Sequence, residues 1–207
     1  MNIKIRKPAS KSSNYQKHTT KNPIGKLFLN NFLNTVVKTI RPLNIDSVLD
    51  VGCGEGFTLA RLSREKIGKT YEGIEAEETA ITLGKKLYPR LTIDKGDIYK
   101  LPYKNNSFDL VVCTEVLEHL EKPKKAYREL IRVSRKYVLL SVPNEPFFTW
   151  QRLARFQNIL ELGAHPEHIQ HWTARGFFKF VKVRGVKLIT RKFPIPWTMV
   201  VVKKIKV

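Results

Sequence analysis

The sequence predicts an α/β protein whose parallel sheet is covered by helices on both faces. Three observations predict it. Short apolar strands alternate with helical segments through the middle of the chain. The stretch Phe108–Thr114 is apolar enough along its length to be buried on both faces, as a central parallel strand is. The first strand, Ser47–Val51, runs into a glycine loop that opens a helix.

Asn22-Pro23 reads as a helix cap followed by proline in the first turn. Ile24, Leu27, Phe28, Phe32, Val36, Val37 and Ile40 then fall on one helical face, and Pro42 ends the segment. After Ser47–Val51 come a helix over Thr58–Lys66, a strand over Thr70–Glu75 and a helix over Glu78–Leu87. Strands follow at Leu91–Lys95 and Phe108–Thr114, a helix at Pro123–Ser134 and a strand at Tyr137–Pro143. A helix over 147–162 stands outside this rhythm, and another covers Thr173–Val183. Strands near 186–193 and 197–206 close the chain. Residues 1–21, polar and basic, read as a flexible tail.

A chain of 207 residues, 42% hydrophobic and 27% charged, can bury a real core within one domain. No apolar run is long enough for a transmembrane helix. The N-terminus lacks the pattern of a secretory signal. Cys53 and Cys113 are too few for a disulfide scaffold or a four-thiolate zinc site, so a reducing, cytoplasmic setting is expected. The net charge of +20 is unevenly spread. Residues 1–45 carry nine Lys/Arg and no acid, residues 168–207 carry ten and no acid, and the centre is balanced. Such ends fit RNA, anionic lipid or a polyanionic substrate, or merely a soluble lysine-rich surface. Their aromatics and arginines are not interleaved as base-stacking platforms would be, which favours the plainer reading.

Val48-Leu49-Asp50-Val51-Gly52-Cys53-Gly54-Glu55-Gly56-Phe57 is the most informative stretch. A dinucleotide fingerprint needs glycine where Phe57 stands, and a phosphate loop would not place Glu55 among its donors. The spacing Gly-x-Gly-x-Gly with Asp50 just ahead suits a ligand bearing an ammonium or sulfonium charge. At the end of the second strand, Glu75 stands where paired ribose hydroxyls can donate to it.

These residues resemble the class I S-adenosylmethionine-dependent methyltransferases of small-molecule type, similar to the ubiquinone-pathway O-methyltransferases. Three further segments resemble the family: Gly96-Asp97-Ile98 with Leu101-Pro102-Tyr103, Ser107-Phe108-Asp109-Leu110-Val111-Val112, and Glu115-Val116-Leu117-Glu118-His119-Leu120. The likeness spans about residues 43–143. It implies a Rossmann-like, doubly wound, seven-stranded sheet with the last strand antiparallel, and one methyltransferase domain over 22–207. It also implies roles. Asp50, Gly52, Gly54 and Gly56 would line the methionine end of the cofactor S-adenosylmethionine, with Cys53 in the same loop. Glu75, with Ala76 beside it, would hold the ribose. Asp97 and the Ile98 backbone would face the adenine, and Thr114 and Glu115 would close the pocket beside the sulfonium.

Residues 144–172 form an insertion at the carboxyl edge of the sheet, where ligands bind in such folds. Phe148, Leu153, Phe156, Ile159 and Leu160 share a helical face, fitting a lid over the acceptor, an extra core helix or a membrane-surface element. Candidate bases or acceptor-orienting groups are His119, His168 and His171, with structural hydrogen bonding as the plainer role. Glu115, Glu118 and His119 also resemble the metal ligands of small-RNA ribose methyltransferases, but the same run is widespread in metal-free relatives, and no metal is expected. The expected function is methyl transfer to a small-molecule or lipid-like acceptor. An RNA methyltransferase using the basic ends and a non-catalytic cofactor-binding subunit are the alternatives. Nucleic acid is not the favoured partner, and peripheral membrane contact through the 144–172 insertion stays open.

Overall fold

The computed structural model of the chain describes residues 13–144 and 169–205. Seven strands form one sheet: β1 (Ser47–Val51), β2 (Thr70–Glu75), β3 (Thr92–Lys95), β4 (Phe108–Thr114), β5 (Ser134–Pro143), β6 (Val186–Lys192) and β7 (Trp197–Lys204). Their order is β3-β2-β1-β4-β5-β7-β6. β1 to β5 pair in parallel, and β7 runs antiparallel to both β5 and β6. The sheet is the doubly wound arrangement expected, with the last strand reversed.

The helices are α1 (Ser13–His18), α2 (Pro23–Ile40), α3 (Phe57–Arg64), α4 (Glu78–Leu87), α5 (Pro123–Val133) and α6 (Ala174–Phe180), with a 3₁₀ turn at Leu117–His119. α2 and α3 bury Phe32, Val36, Ile40, Leu59 and Leu62 against Val48, Leu110, Val112, Leu139 and Val201. α5 and α6 bury Tyr127, Leu130 and Phe177 against Leu49, Val111, Leu140 and Val200 on the opposite face. Alternate residues of each central strand serve the two layers, which is why β4 and β5 are buried nearly throughout.

Strand and helix limits follow the sequence reading within a few residues. Asn22 caps α2, accepting from the Ile24 and Gly25 N–H groups. The apolar stripe of α2 starts later than expected, for Ile24 and Leu27 are exposed and contact with the core begins at Phe28. Residues 13–18, read as part of a tail, form α1 instead. Six residues are too few to hold a helix on propensity alone, so α1 depends on what it packs against.

Along the sheet the chain order turns at β1 and β4: β2 and β3 extend one way, β5 and β7 the other. The crevice above the carboxyl ends of β1 and β4 is therefore the place this topology offers a ligand.

Candidate functional site

Asp50 lies at the carboxyl end of β1, its Cα in register with Gly73 of β2 and Val112 of β4. It is 1% exposed, and neither carboxylate oxygen has a hydrogen-bond partner among the described residues. Burial, and secondly the Glu75 charge, push its carboxyl up to about 7. A buried acid without a donor is costly, so its persistence here points to a cationic or donating ligand.

The loop after Asp50 is built by left-handed glycines. Gly54 has φ +55°, and a Cβ there would stand 2.4 Å from Asn14 Nδ2. Gly52, at φ +73°, leaves no room for a Cβ because Val116 would lie 2.4 Å away. Glu115, the residue before Val116, adopts φ +57°, unusual for a residue with a side chain. Gly56 caps α3 in the left-handed region, so loop and helix join without a side-chain cap. The Cys53 thiol packs against Gly73 and is pushed up by burial, as is Cys113; both behave as small apolar residues.

Glu75 closes the loop from β2. Its Oε2 accepts from Gly54 N at 2.7 Å, while Oε1 accepts from Ala76 N at 2.7 Å and Glu77 N at 3.1 Å. Carboxylate oxygens carry two lone pairs each, so this clamp leaves acceptor capacity toward the crevice. Asp97, after β3, is exposed and accepts from Tyr99 N at 2.8 Å, while Ile98 packs on the edge of the core. Thr114 ends β4 in register with Ser141 of β5. The Ser141 hydroxyl is buried with no hydrogen-bond partner among the described residues.

Sequence reasoning missed α1, which lies across this loop. Asn14 Nδ2 donates to Glu55 Oε2 at 2.6 Å, and Lys17 Nζ donates to Glu115 Oε1 at 2.9 Å. The His18 ring stacks on Phe57 with centroids 4.3 Å apart and planes 3° apart. Burial, then the Lys17 charge, hold His18 down to about 3, so it is neutral. Phe57, the residue that breaks the dinucleotide pattern, is thus the platform on which α1 docks. Lys17 also lies 6.0 Å from the Trp197 ring centre at the start of β7. Tyr15 is the one aromatic signal in an otherwise polar stretch, and it also approaches Phe57.

The histidines sort by position. His119 ends the 3₁₀ turn after β4 and is exposed. His171 is exposed in a segment tied to that turn, where Ile169 N and Gln170 N both donate to Glu118 O at 2.9 Å. The two therefore occupy adjoining segments on the crevice rim. His168 lies outside the described residues, as do the expected helix at 147–162 and most of the 144–172 insertion. Among the described residues no group of three or more His, Cys, Asp or Glu is placed to hold a metal. No helix among them is long and apolar enough to cross a membrane.

Residues 49–141 match the family described as a methyltransferase domain. Over that stretch, a little under half of its length, the chain is similar to S-adenosylmethionine-dependent methyltransferases. It is 36% identical over 94 residues to norajmaline N-methyltransferase of Rauvolfia serpentina, covering 42% of this chain and 32% of that protein. It is 36% identical over 92 residues to cycloartenol-C-24-methyltransferase of Arabidopsis thaliana, covering 42% and 27%. The chain thus spans about a third of the length of the curated relatives it matches. Among solved structures, magnesium protoporphyrin IX methyltransferase of Synechocystis PCC 6803 with bound SAH superposes with a TM-score of 0.69 at 16% identity, covering 94% of this chain and 95% of that one. That likeness shows the fold. The crevice combines left-handed glycines at the turn, an unpartnered buried acid and a strand-end carboxylate.

Proposed function

We propose that this protein transfers a methyl group from S-adenosylmethionine to a small-molecule or lipid-like acceptor. The observation that carries the reading is the pair of carboxylates, Asp50 and Glu75, flanking the Gly52–Gly56 loop. Asp50 supplies the negative charge facing the methionine end, and the loop lets the backbone come close. Glu75 takes the ribose hydroxyls, Asp97 and Ile98 border the adenine, and Thr114 and Glu115 line the transfer point.

When bound, the cofactor supplies a methyl carbon already activated for displacement. The chain's own task is to align an acceptor atom with that carbon and keep water out. Glu115, Lys17, Trp197 and the buried Ser141 hydroxyl form the wall toward β5 and β7, and the rim carries His119 and His171. Either imidazole is assigned to take the proton that a hydroxyl acceptor loses. The relatives named norajmaline N-methyltransferase and cycloartenol-C-24-methyltransferase support a small or lipid-like substrate.

The test is transfer of labelled methyl into a cell extract fractionated into RNA, protein, lipid and small molecules. Label in the lipid or small-molecule fraction, absent with Asp50→Ala, is expected. Label confined to RNA would overturn the acceptor class.

A further inference from the structure

Beyond the crevice, α6 and edge strand β6 leave a gap between them. A groove of about 530 Å³ is lined by Ala174, Arg175, Phe178, Lys179, Lys182 and Arg191. Four of these six are cations, and none pairs with a carboxylate of the described residues. The Arg191 guanidinium lies 5.0 Å from the Phe178 ring centre.

The backbone builds this groove. β6 shifts register between Leu188, opposite Val202, and Thr190, opposite Val201. One extra residue reverses the side-chain alternation, so Arg191, opposite Val200, joins the face that carries α6. Without the bulge it would point to the other side with Lys187.

The loop after β6 adds an apolar tip. Phe193 is 54% exposed and Ile195 49% exposed, whereas Pro194 and Pro196 between and after them are buried. Trp197 N donates to Pro194 O at 2.8 Å and Asn144 N to Pro196 O at 3.0 Å, fixing the loop to the carboxyl end of β5. Phe193 also meets Phe178 edge-on at 5.8 Å. Two large apolar side chains are thus held outward on a rigid, proline-bounded loop, directly beside the cationic groove and on the same sheet edge as the crevice.

We propose that this groove and the Phe193–Pro196 loop dock the protein on the surface of an anionic phospholipid bilayer. Headgroup phosphates are taken by Arg175, Lys179, Lys182 and Arg191, while Phe193 and Ile195 enter the boundary of the acyl chains. A nucleic-acid backbone would satisfy the cations but would leave Ile195 in water, which is why the bilayer is favoured over RNA. Docking in this way presents the crevice mouth to the membrane. That consequence rests on the lipid-like acceptor reading; vesicle binding itself is read without cofactor or turnover, so the two fail separately.

The experiment is co-sedimentation of the full chain with phosphatidylcholine vesicles, with and without roughly one-third phosphatidylglycerol, at low and high salt. Binding is expected only with the anionic lipid. Lys179→Glu with Lys182→Glu lowers it about tenfold or more, while Lys86→Glu with Lys124→Glu, an equal charge change elsewhere, alters it less than about twofold. Phe193→Ser with Ile195→Ser keeps binding at low salt and loses the salt-resistant fraction. Circular dichroism checks that each variant is folded. Equal loss in the control variant, no binding to anionic vesicles, or RNA binding at this groove in place of vesicle binding would each overturn the proposal.

Discussion

Lys17 Nζ sits 2.9 Å from Glu115 Oε1 and 6.0 Å from the centre of the Trp197 ring, so one side chain ties α1 to the ends of β4 and β7. Those two strand ends frame the proposed transfer point. The N-terminal helix is therefore a wall of the proposed site as well as a cover for the glycine loop.

Lys17→Met removes this tie while leaving the core intact. The pair is partly exposed, at 31% and 19% for the two side chains, so its contribution is about 1 kcal/mol or less. Global stability should change little in a thermal melt. Cofactor affinity should fall by up to about fivefold, and limited proteolysis should cut near α1 faster than in the parent.

Gly54→Ala meets two obstacles, a left-handed φ of +55° and Asn14 Nδ2 at 2.4 Å from the new Cβ. The backbone part costs about 1 kcal/mol. The steric part should expel α1 and weaken cofactor binding strongly. Adding Asn14→Ala relieves the clash but not the φ cost, so the double variant should bind better than Gly54→Ala alone. A double variant no better than the single one would show that the two residues do not meet.

Asp50 makes stability depend on pH. Its carboxyl is raised from 3.8 to about 7 in the folded protein, by burial first and Glu75 second. The folded state thus holds a proton that the unfolded chain releases across that interval. The stabilisation is complete below 3.8 and is lost as pH rises through about 7. Asp50→Asn should flatten this dependence and stabilise the ligand-free protein by about 2–4 kcal/mol at pH ~8. Urea titrations of both proteins across the interval read it directly.

Asp109 behaves oppositely. It is 1% exposed, and its carboxylate accepts from Asp46 N at 2.9 Å beside Arg135 and Lys136, each at 3.3 Å. Burial alone would raise it, but the Asp46 N–H and the two cations outweigh that and hold it below the usual carboxylate range. This stabilisation is present above the ordinary carboxylate pKa and fades as pH falls through the lowered one. Asp109→Asn should cost about 1–3 kcal/mol at neutral pH and less in acid.

Much of the architecture was legible because it is written in short-range signals. Strand limits at Ser47–Val51, Thr70–Glu75 and Phe108–Thr114 follow from apolar runs bounded by turn residues, and the Asn22 cap from the residue type before Pro23. The glycine loop was legible because left-handed backbone at Gly52, Gly54 and Gly56 demands that residue. What escaped was tertiary. α1 has no apolar period, and it forms because Asn14, Lys17 and His18 find Glu55, Glu115 and Phe57 far along the chain. The basic groove escaped for the same reason: no periodicity announces the bulge that turns Arg191 onto Phe178. The expected apolar face of α2 was overextended by one turn because periodicity cannot say where the helix meets the sheet.

The most direct measurement is calorimetric titration of S-adenosylmethionine into the wild-type protein, Asp50→Ala, Glu75→Ala and the rim variant His119→Ala. Loss of binding is expected in the first two variants with the fold retained, and near-parental affinity in the third. Unchanged affinity in both Asp50→Ala and Glu75→Ala would contradict the acid-flanked glycine loop as the cofactor site.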